Sequence, residues 1–447
     1  MTVIQPNSIA GINSITVQTG QALNVHDASG NLIRSLASSS GVSTYQALHV
    51  GAGTTTSTQG ISVGTGCSIV SDAVNTLDVY TNNTKQVVIG ADGAITGGAN
   101  ASVNITGGVN ITGVSTAAAF APSIGWLGNR NLITNGAMQV NQRGNQTSVS
   151  SATYTLDRWK LVVTSCGAYS VSQLAGSDEL INVGLRNSLK VDCTTADASP
   201  ASGDLVMLQQ PMEGLVTNPL CWGQSSGKKA VLSFWAKADI NGWSSGTKDF
   251  VVEIQASDSQ EWSTVCQLAT AGTWQKFELS IDAKTSSAIA YNNTESMGIN
   301  WWLDAGSNYK GGSAVSGWSA KANSGGVRAA QQTLAIAAHT DNNFYLTGVQ
   351  LELGEEATPF EHRSYGEDLA RCQRYYYEIE ANSTSYLPTT NSDGRSRINR
   401  AFPTTMRAAP SGSMSNYTLS TKADGVTGYQ SSSQVDVLYK GTFDAEI

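Results

Sequence analysis

All ten tryptophans of this 447-residue chain lie between Trp126 and Trp318. Indoles supply more buried apolar area per residue than most side chains, so a segment that lacks them must build its core by other means. Residues 1 to 125 lack them, and carry only two basic residues, Arg34 and Lys85, and four acidic ones. At roughly 150 residues per domain the length predicts about three domains. The chain therefore reads as modular, with its sharpest boundary near residue 125.

In residues 1–125 apolar side chains are thin and alternate with small polar ones: Ile61 and Val63, Val87 and Ile89, Val103 and Ile105, Val109 and Ile111. Period-two alternation broken by Gly and Asn predicts many short strands. The stretches starting at Asn104 and Asn110 are near-duplicates, a local repeat about six residues long. One copy of this region has too little large apolar surface for an ordinary core, whereas three copies intertwined about an axis would bury far more. The competing reading is a low-complexity linker.

Residues 126–363 carry longer, aromatic strand candidates, starting at Trp159, Ala230, Asp249, Trp274, Met297 and Asn343 and separated by Gly/Ser/Asn/Asp segments. These predict a two-sheet sandwich or jelly roll. Alternation sets the faces: Phe250 and Val252, like Phe277 and Leu279, point inward. A short helical connector is expected over 364–377, with Ser364 as cap and Leu369, Cys372 and Tyr376 on one face. Residues 378–447 return to low-charge β-like sequence, with Pro403 and Pro410 at turns or edges, as a small C-terminal β domain. The expected class is all-β: a Gly-rich intertwined shaft or anchor, a central jelly roll and the small final domain.

Only 13% of residues are charged, about half the usual share, and the formal charge is −8. No Lys/Arg cluster is present, so nucleic acid is not an expected partner. The six cysteines (Cys67, Cys166, Cys193, Cys221, Cys266, Cys372) show no ligand spacing and are expected to be buried thiols, an oxidised pair in the central region staying open. The N-terminal sequence has neither a basic n-region nor an apolar h-region, so no signal peptide is expected. No apolar run is long enough for membrane insertion.

Nucleophilic hydrolysis needs an oriented histidine, and His26, His49, His339 and His362 occur in no hydrolase or metalloprotease motif. A glycosidase needs only two carboxylates; Asp157, Asp239, Glu253, Glu261, Glu278, Asp304 and Asp341 are available but scattered. No calcium-loop motif occurs, so metal binding stays undetermined; no cofactor and no enzymatic activity are expected. Sugar recognition suits the composition better, since exposed Trp and Tyr rings cover pyranose faces while amides and hydroxyls bond to the sugar. The densest stretch is Asn300 to Gly312, followed by Trp318; the candidates are Trp243, Trp301, Trp302, Asp304, Tyr309 and Trp318. Trp301 and Trp302 are adjacent in a strand and point opposite ways, so at least one belongs to the core.

Asn131 to Gly144 (NLITNGAMQVNQRG), Tyr154 to Trp159 (YTLDRW) and Phe344 to Tyr376 resemble the opening and closing segments of a domain found in tail fibre and related receptor-binding proteins of tailed bacteriophages. Met406 to Pro410 and Phe443 to Ile447 are similar to the endings of such fibres. The resemblance implies a carbohydrate-binding-module-like sandwich, a homotrimer, attachment to other virion proteins through residues 1–125, and host-surface polysaccharide or lipopolysaccharide as ligand. It implies localisation to the virion as a fibre appendage, on the tail in preference to the head. Motif positions matched are Asn131, Asn135, Arg143, Asp157, Arg158, Trp159, Gln350, Glu352, Pro359, Phe360 and Arg363, assigned to fold architecture: a fold-fixing ion pair and packed indole in Asp157–Trp159, and a hydrogen-bonding pair in Gln350 and Glu352. The alternatives are a purely structural component of capsid, neck or baseplate, and a polysaccharide-depolymerising tailspike.

Overall fold

A computed structural model describes residues 22–26, 29, 32–37, 60–62, 68–70, 77–81, 84–89, 95–97, 128–313, 317–321, 328–379, 389–390, 396–414, 417–430 and 441–447. The structure is predominantly β, and by contact it divides into two units, Met1–Ala118 and Ala119–Ile447.

The first unit holds a hairpin of β1 (Ala22–His26) and β2 (Leu32–Ala37). A five-stranded meander follows, of β3 (Gly60–Ser62), β4 (Ser68–Val70), β5 (Leu77–Thr81), β6 (Thr84–Ile89) and β7 (Ile95–Gly97). The alternating Val87 and Ile89 lie in β6 and Ile61 lies in β3. Val63, Cys67, His49 and the near-repeat at Asn104 and Asn110 fall outside the described residues.

The second unit opens with two facing antiparallel sheets. Its strands are β8 (Gln146–Val149), β9 (Thr153–Tyr154), β10 (Lys160–Thr164), β11 (Ala168–Leu174), β12 (Ser188–Thr195), β13 (Leu205–Glu213), β14 (Ala230–Asp239), β15 (Lys248–Ala256), β16 (Gln260–Leu268), β17 (Gln275–Ile281), β18 (Glu295–Ala305), β19 (Ser319–Ala320) and β20 (Asn343–Leu353), with a single turn of helix, α1 (Gly214–Thr217), after β13. One sheet has the order β19-β16-β15-β18-β13-β10-β9, the other β17-β14-β20-β12-β11-β8. Between them lies the main core. Phe250, Val252 and Phe277 point into it and Leu279 packs against it, as the alternation predicts. Phe234 stacks on Phe277 at 5.2 Å between ring centres and meets Trp301 edge-on, while Trp301 lies 5.4 Å from Trp159.

The ends of this body are locked together. The Asn131 side chain donates from Nδ2 to the Val349 carbonyl and accepts at Oδ1 from the Ile133 and Leu351 amides. Gly136 is where only glycine fits, since a Cβ would lie 2.1 Å from the Val349 oxygen. Asn135 binds the backbone of Val140 and Asp157, and the Arg363 guanidinium binds the Asn131 and Ile133 carbonyls. Gln350 donates to Glu352, and Glu352 accepts from the Thr358 amide and hydroxyl. Pro359 accepts from Arg130, and the Phe360 ring meets His362 edge-on.

Helix α2 (Tyr365–Gln373) follows, with Ser364 in extended geometry accepting from the Glu367 amide, Glu367 and Asp368 in its first turn and Arg371 in its last. Cap, acids and base all complement the helix ends. Beyond it β21 (Tyr376–Ile379), β22 (Thr389–Thr390), β23 (Ser396–Ala401), β24 (Ser411–Met414), β25 (Thr418–Lys422), β26 (Gly425–Gln430) and β27 (Gly441–Asp444) form two small sheets, β21-β27-β24 and β22-β23-β26-β25. Their core centres on Tyr377, Phe402 and Phe443.

Candidate functional site

The outer face of the seven-stranded sheet, turned away from the main core, is organised in cross-strand rows. The registers Tyr154↔Lys160↔Gln209↔Asn300↔Glu253↔Ser263 align one residue from each of β9, β10, β13, β18, β15 and β16. Beside this polar row runs an apolar one, Val162↔Met207↔Trp302↔Val251↔Val265. Side chains on one face of a strand alternate with the core-facing ones, so both rows follow once the registers are set.

One end of the polar row is sealed. Glu253 is fully buried, and its carboxylate accepts from Arg328 Nε and Nη2 at 2.8 and 3.1 Å, Asn300 Nδ2 at 2.9 Å and Trp302 Nε1 at 2.8 Å. The Arg328 guanidinium also lies 3.6 Å from Glu261 and 4.9 Å over the Trp302 ring. A buried carboxylate carrying this many donors is satisfied and charge-balanced.

The other end is open. Tyr154, Lys160 and Gln209 are half-buried, and the Lys160 ammonium stands 5.2 Å from the Tyr154 ring centre. Gln209 donates to Asn300 Oδ1 at 2.9 Å, and Asn300 donates in turn to Glu253. This relay fixes the Gln209 amide before any ligand arrives. Gly298, in the adjoining row, lies under neighbouring side chains: a Cβ there would come within 3.1 Å of the Gln209 amide nitrogen and 3.3 Å of a Glu295 carboxylate oxygen. At the margin, burial raises the pKa of Glu295 against the pull of Lys160, and burial together with Arg328 lowers that of Lys321. The open end thus presents an ammonium and an oriented amide beside the half-buried Tyr154 ring, whose hydroxyl donates to the Ile447 carbonyl and which Arg143 approaches to 5.4 Å.

The aromatic residues singled out in the sequence occupy three places. Trp301 is in the main core and Trp302 on the outer face, both fully enclosed, Trp302 under Tyr309 at 5.2 Å and Arg328. Asp304 is buried, accepting from Lys310 Nζ and the Ala337 amide. Trp243 is half-buried in the loop between β14 and β15, its Nε1 donating to the Gly246 carbonyl. Trp318 meets Trp222 edge-on at 5.0 Å and donates to the Asp282 carbonyl. The structure therefore brings together Trp302 and Tyr309 and leaves Trp243 and Trp318 on separate elements.

The motif residues build a junction instead. Arg158 pairs with Glu446 with both side chains buried, and its guanidinium lies 3.6 Å over Tyr375. Arg143 binds Asp444 and Glu446 at 3.1 and 3.2 Å and lies 3.7 Å over Tyr376. The ion pair expected within Asp157–Trp159 thus runs from Arg158 to the chain's C-terminal segment; Asp157 itself accepts from the Gln142 amide and side chain, and burial pushes its pKa up to about 6. Trp159 is fully buried and donates to the Asn135 carbonyl.

The five cysteines among the described residues are free, four of them buried, and burial pushes the Cys166 thiol up to about 12. Among the described residues no group of three or more His, Cys, Asp or Glu is placed to hold a metal ion, and no helix is long and apolar enough to cross a membrane. Of the carboxylates available for hydrolysis, Glu253 and Glu261 converge on Arg328. Lys160, Gln209, Gly298 and Arg328 escaped sequence reasoning. The alternation in β13 marks Gln209 as facing away from the core, but the row it joins exists only through pairings with strands up to about 90 positions away.

No family model and no curated protein matches the chain. Among solved structures, it is similar to a CBM4 structure (14% identity, 50% of this chain and 99% of that one, TM-score 0.24). It is also similar to the Clostridium thermocellum xylanase 10B CBM22-1–GH10 modules with xylohexaose (10%, 49% and 30%, TM-score 0.24). A third similarity is to TmCBM61 with β-1,4-galactotriose (9%, 51% and 100%, TM-score 0.24). At these identities and TM-scores the likenesses carry neither fold nor function over to this chain.

Proposed function

We propose that this chain is a non-enzymatic fibre protein of a bacteriophage particle, a homotrimer joined to other virion proteins through its N-terminal region. Its two facing sheets form a jelly-roll body that binds host-surface polysaccharide or lipopolysaccharide. The observation that carries the glycan reading is the open end of the outer-face row, where Tyr154, Lys160 and the pre-oriented Gln209 stand side by side, each half-buried. A ring with fixed hydrogen-bonding groups beside it is the chemistry that recognises a pyranose. The fibre reading is supported by the strings that resemble such proteins: segments more than 200 residues apart interlock through Asn131, Gly136, Arg363 and Val349, and Phe443 to Ile447 docks on Arg143 and Arg158. The non-enzymatic reading is supported by the saturated Glu253 carboxylate, whose oxygens are committed to four donors.

The test is binding of the full chain to bacterial cells and their purified surface polysaccharide, compared with Gln209→Ala and Lys160→Ala. We expect an affinity loss of about tenfold in each, the equivalent of one good hydrogen bond, with unchanged melting in Lys160→Ala and a lowered melting temperature in Gln209→Ala, which unpairs the buried Asn300 oxygen. Undiminished binding by both variants would remove the outer face from the account. Selective binding to virion components alone would favour a structural role, and release of oligosaccharides would favour a depolymerase.

A further inference from the structure

Helix α2 carries two stripes. Asp368 and Cys372 turn into the protein and are buried, whereas Tyr365, Leu369 and Gln373, spaced four apart, line a groove of about 400 Å³. Asn141, Glu378 and Arg400 line its other walls. That volume falls within the range of about 300–1,000 Å³ typical of small-ligand sites.

The chemistry of the walls is specific. Tyr365, at the rim, is 55% exposed, an aromatic surface that folding has not used. The polar groups are held in place: Arg400 Nη2 donates to the Tyr377 hydroxyl at 2.8 Å, and Glu378 accepts from the Tyr376 hydroxyl at 3.1 Å. Asn141 donates from Nδ2 to Asn145, while its Oδ1 is shielded from solvent and has no hydrogen-bond partner. One guanidinium and one carboxylate leave the groove without net charge, which disfavours an anionic ligand.

We propose that this groove is a second saccharide site, binding one neutral pyranose unit with its apolar face on Tyr365 and its hydroxyls on Gln373 and the polar walls opposite. The site shares no lining residue with the outer face of the seven-stranded sheet, and stands whether or not that face binds glycan. The ring and the amides supply the two halves of sugar recognition, apolar cover and directed hydrogen bonds.

The experiment is saturation-transfer NMR on the full chain with a panel of methyl pyranosides (glucoside, galactoside, mannoside, rhamnoside, N-acetylglucosaminide). At least one is expected to bind, and Tyr365→Ala and Gln373→Ala each to weaken it about tenfold, about 1.4 kcal/mol. Tyr365→Phe, which keeps the ring, is expected to retain binding, and so is Arg186→Ala, an exposed change away from both faces. Failure of the whole panel would overturn the proposal, as would wild-type binding by Gln373→Ala, even if Tyr365→Ala did not fold. Loss on Gln209→Ala with retention in both groove variants would overturn it and assign the binding to the outer face.

Discussion

In the paired-sheet body, Trp159, Trp222 and Trp301 are enclosed in one continuous core, and the chain ends of the body are tied by asparagine and arginine side chains to backbone carbonyls. In the C-terminal sheets the core is small, built around Tyr377, Phe402 and Phe443, and arginines fasten the module to the body: Arg143 and Arg158 to the terminal carboxylates, Arg374 to Glu213, and Arg407 to the Asn293 carbonyl. Large apolar burial makes the first region self-supporting, whereas the placement of the second depends on a few charges whose partners lie about 160 to 300 residues away. Stability and attachment are therefore separable in this chain, and substitutions should separate them.

The largest effect is expected from Trp301→Ala, which removes the ring between Trp159 and Phe234 and should cost the body about 3–5 kcal/mol. Chemical denaturation followed by tryptophan fluorescence reads it; a loss below about 1 kcal/mol would refute the packing account. Arg158→Ala should cost about 3 kcal/mol, because it unpairs one oxygen of the buried Glu446 carboxylate, the other staying on Arg143, and should give the C-terminal module its own earlier transition. A single unshifted transition would show that the charges do not hold the module. Replacing Arg158 and Glu446 together, Arg158→Met with Glu446→Leu, should recover part of the loss, with Arg143 keeping Asp444.

A third prediction concerns pH. Burial raises Asp157 from its ordinary value near 4 to about 6. The folded protein then holds this proton more tightly than the unfolded chain, so the contribution to stability is present below about pH 4 and is lost as pH rises through 6. About two units correspond to about 3 kcal/mol. Urea midpoints from pH 4 to 7 should show this decline in the wild type and its absence in Asp157→Asn; identical slopes would contradict it. The smallest effect is expected at the helix joining the two regions, where Ser364→Ala should cost about 1 kcal/mol through loss of the cap. A thermal melt unaltered by that change would mean that α2 is held by packing alone.

Much of this was legible locally. Period-two alternation sends Phe250, Val252 and Phe277 inward and Ser364 caps α2, because both signals depend only on neighbours in sequence. The helical face expected of Leu369, Cys372 and Tyr376 is instead split: Cys372 is buried, Leu369 lines the groove, and the helix ends at Gln373 so that Tyr376 lies in β21. Trp301 and Trp302 do point opposite ways, but reading one as exposed fails to foresee that Tyr309 and Arg328 cover the outer face above Trp302. Local pattern says which face a residue takes; it does not say what lies over that face. For the same reason Tyr154, Lys160 and Gln209 carry no sequence signal as a group, since strand pairing and register alone place them in one row.

The most direct measurement of the central claim is a crystal structure of the full chain with oligosaccharides cleaved from the surface polysaccharide of bacteria it binds. A sugar ring is expected at the open end of the outer-face row, hydrogen-bonded to Gln209 and Lys160 and flanked by Tyr154. An outer face left empty at saturating oligosaccharide, with the sugar bound elsewhere on the body, would contradict it.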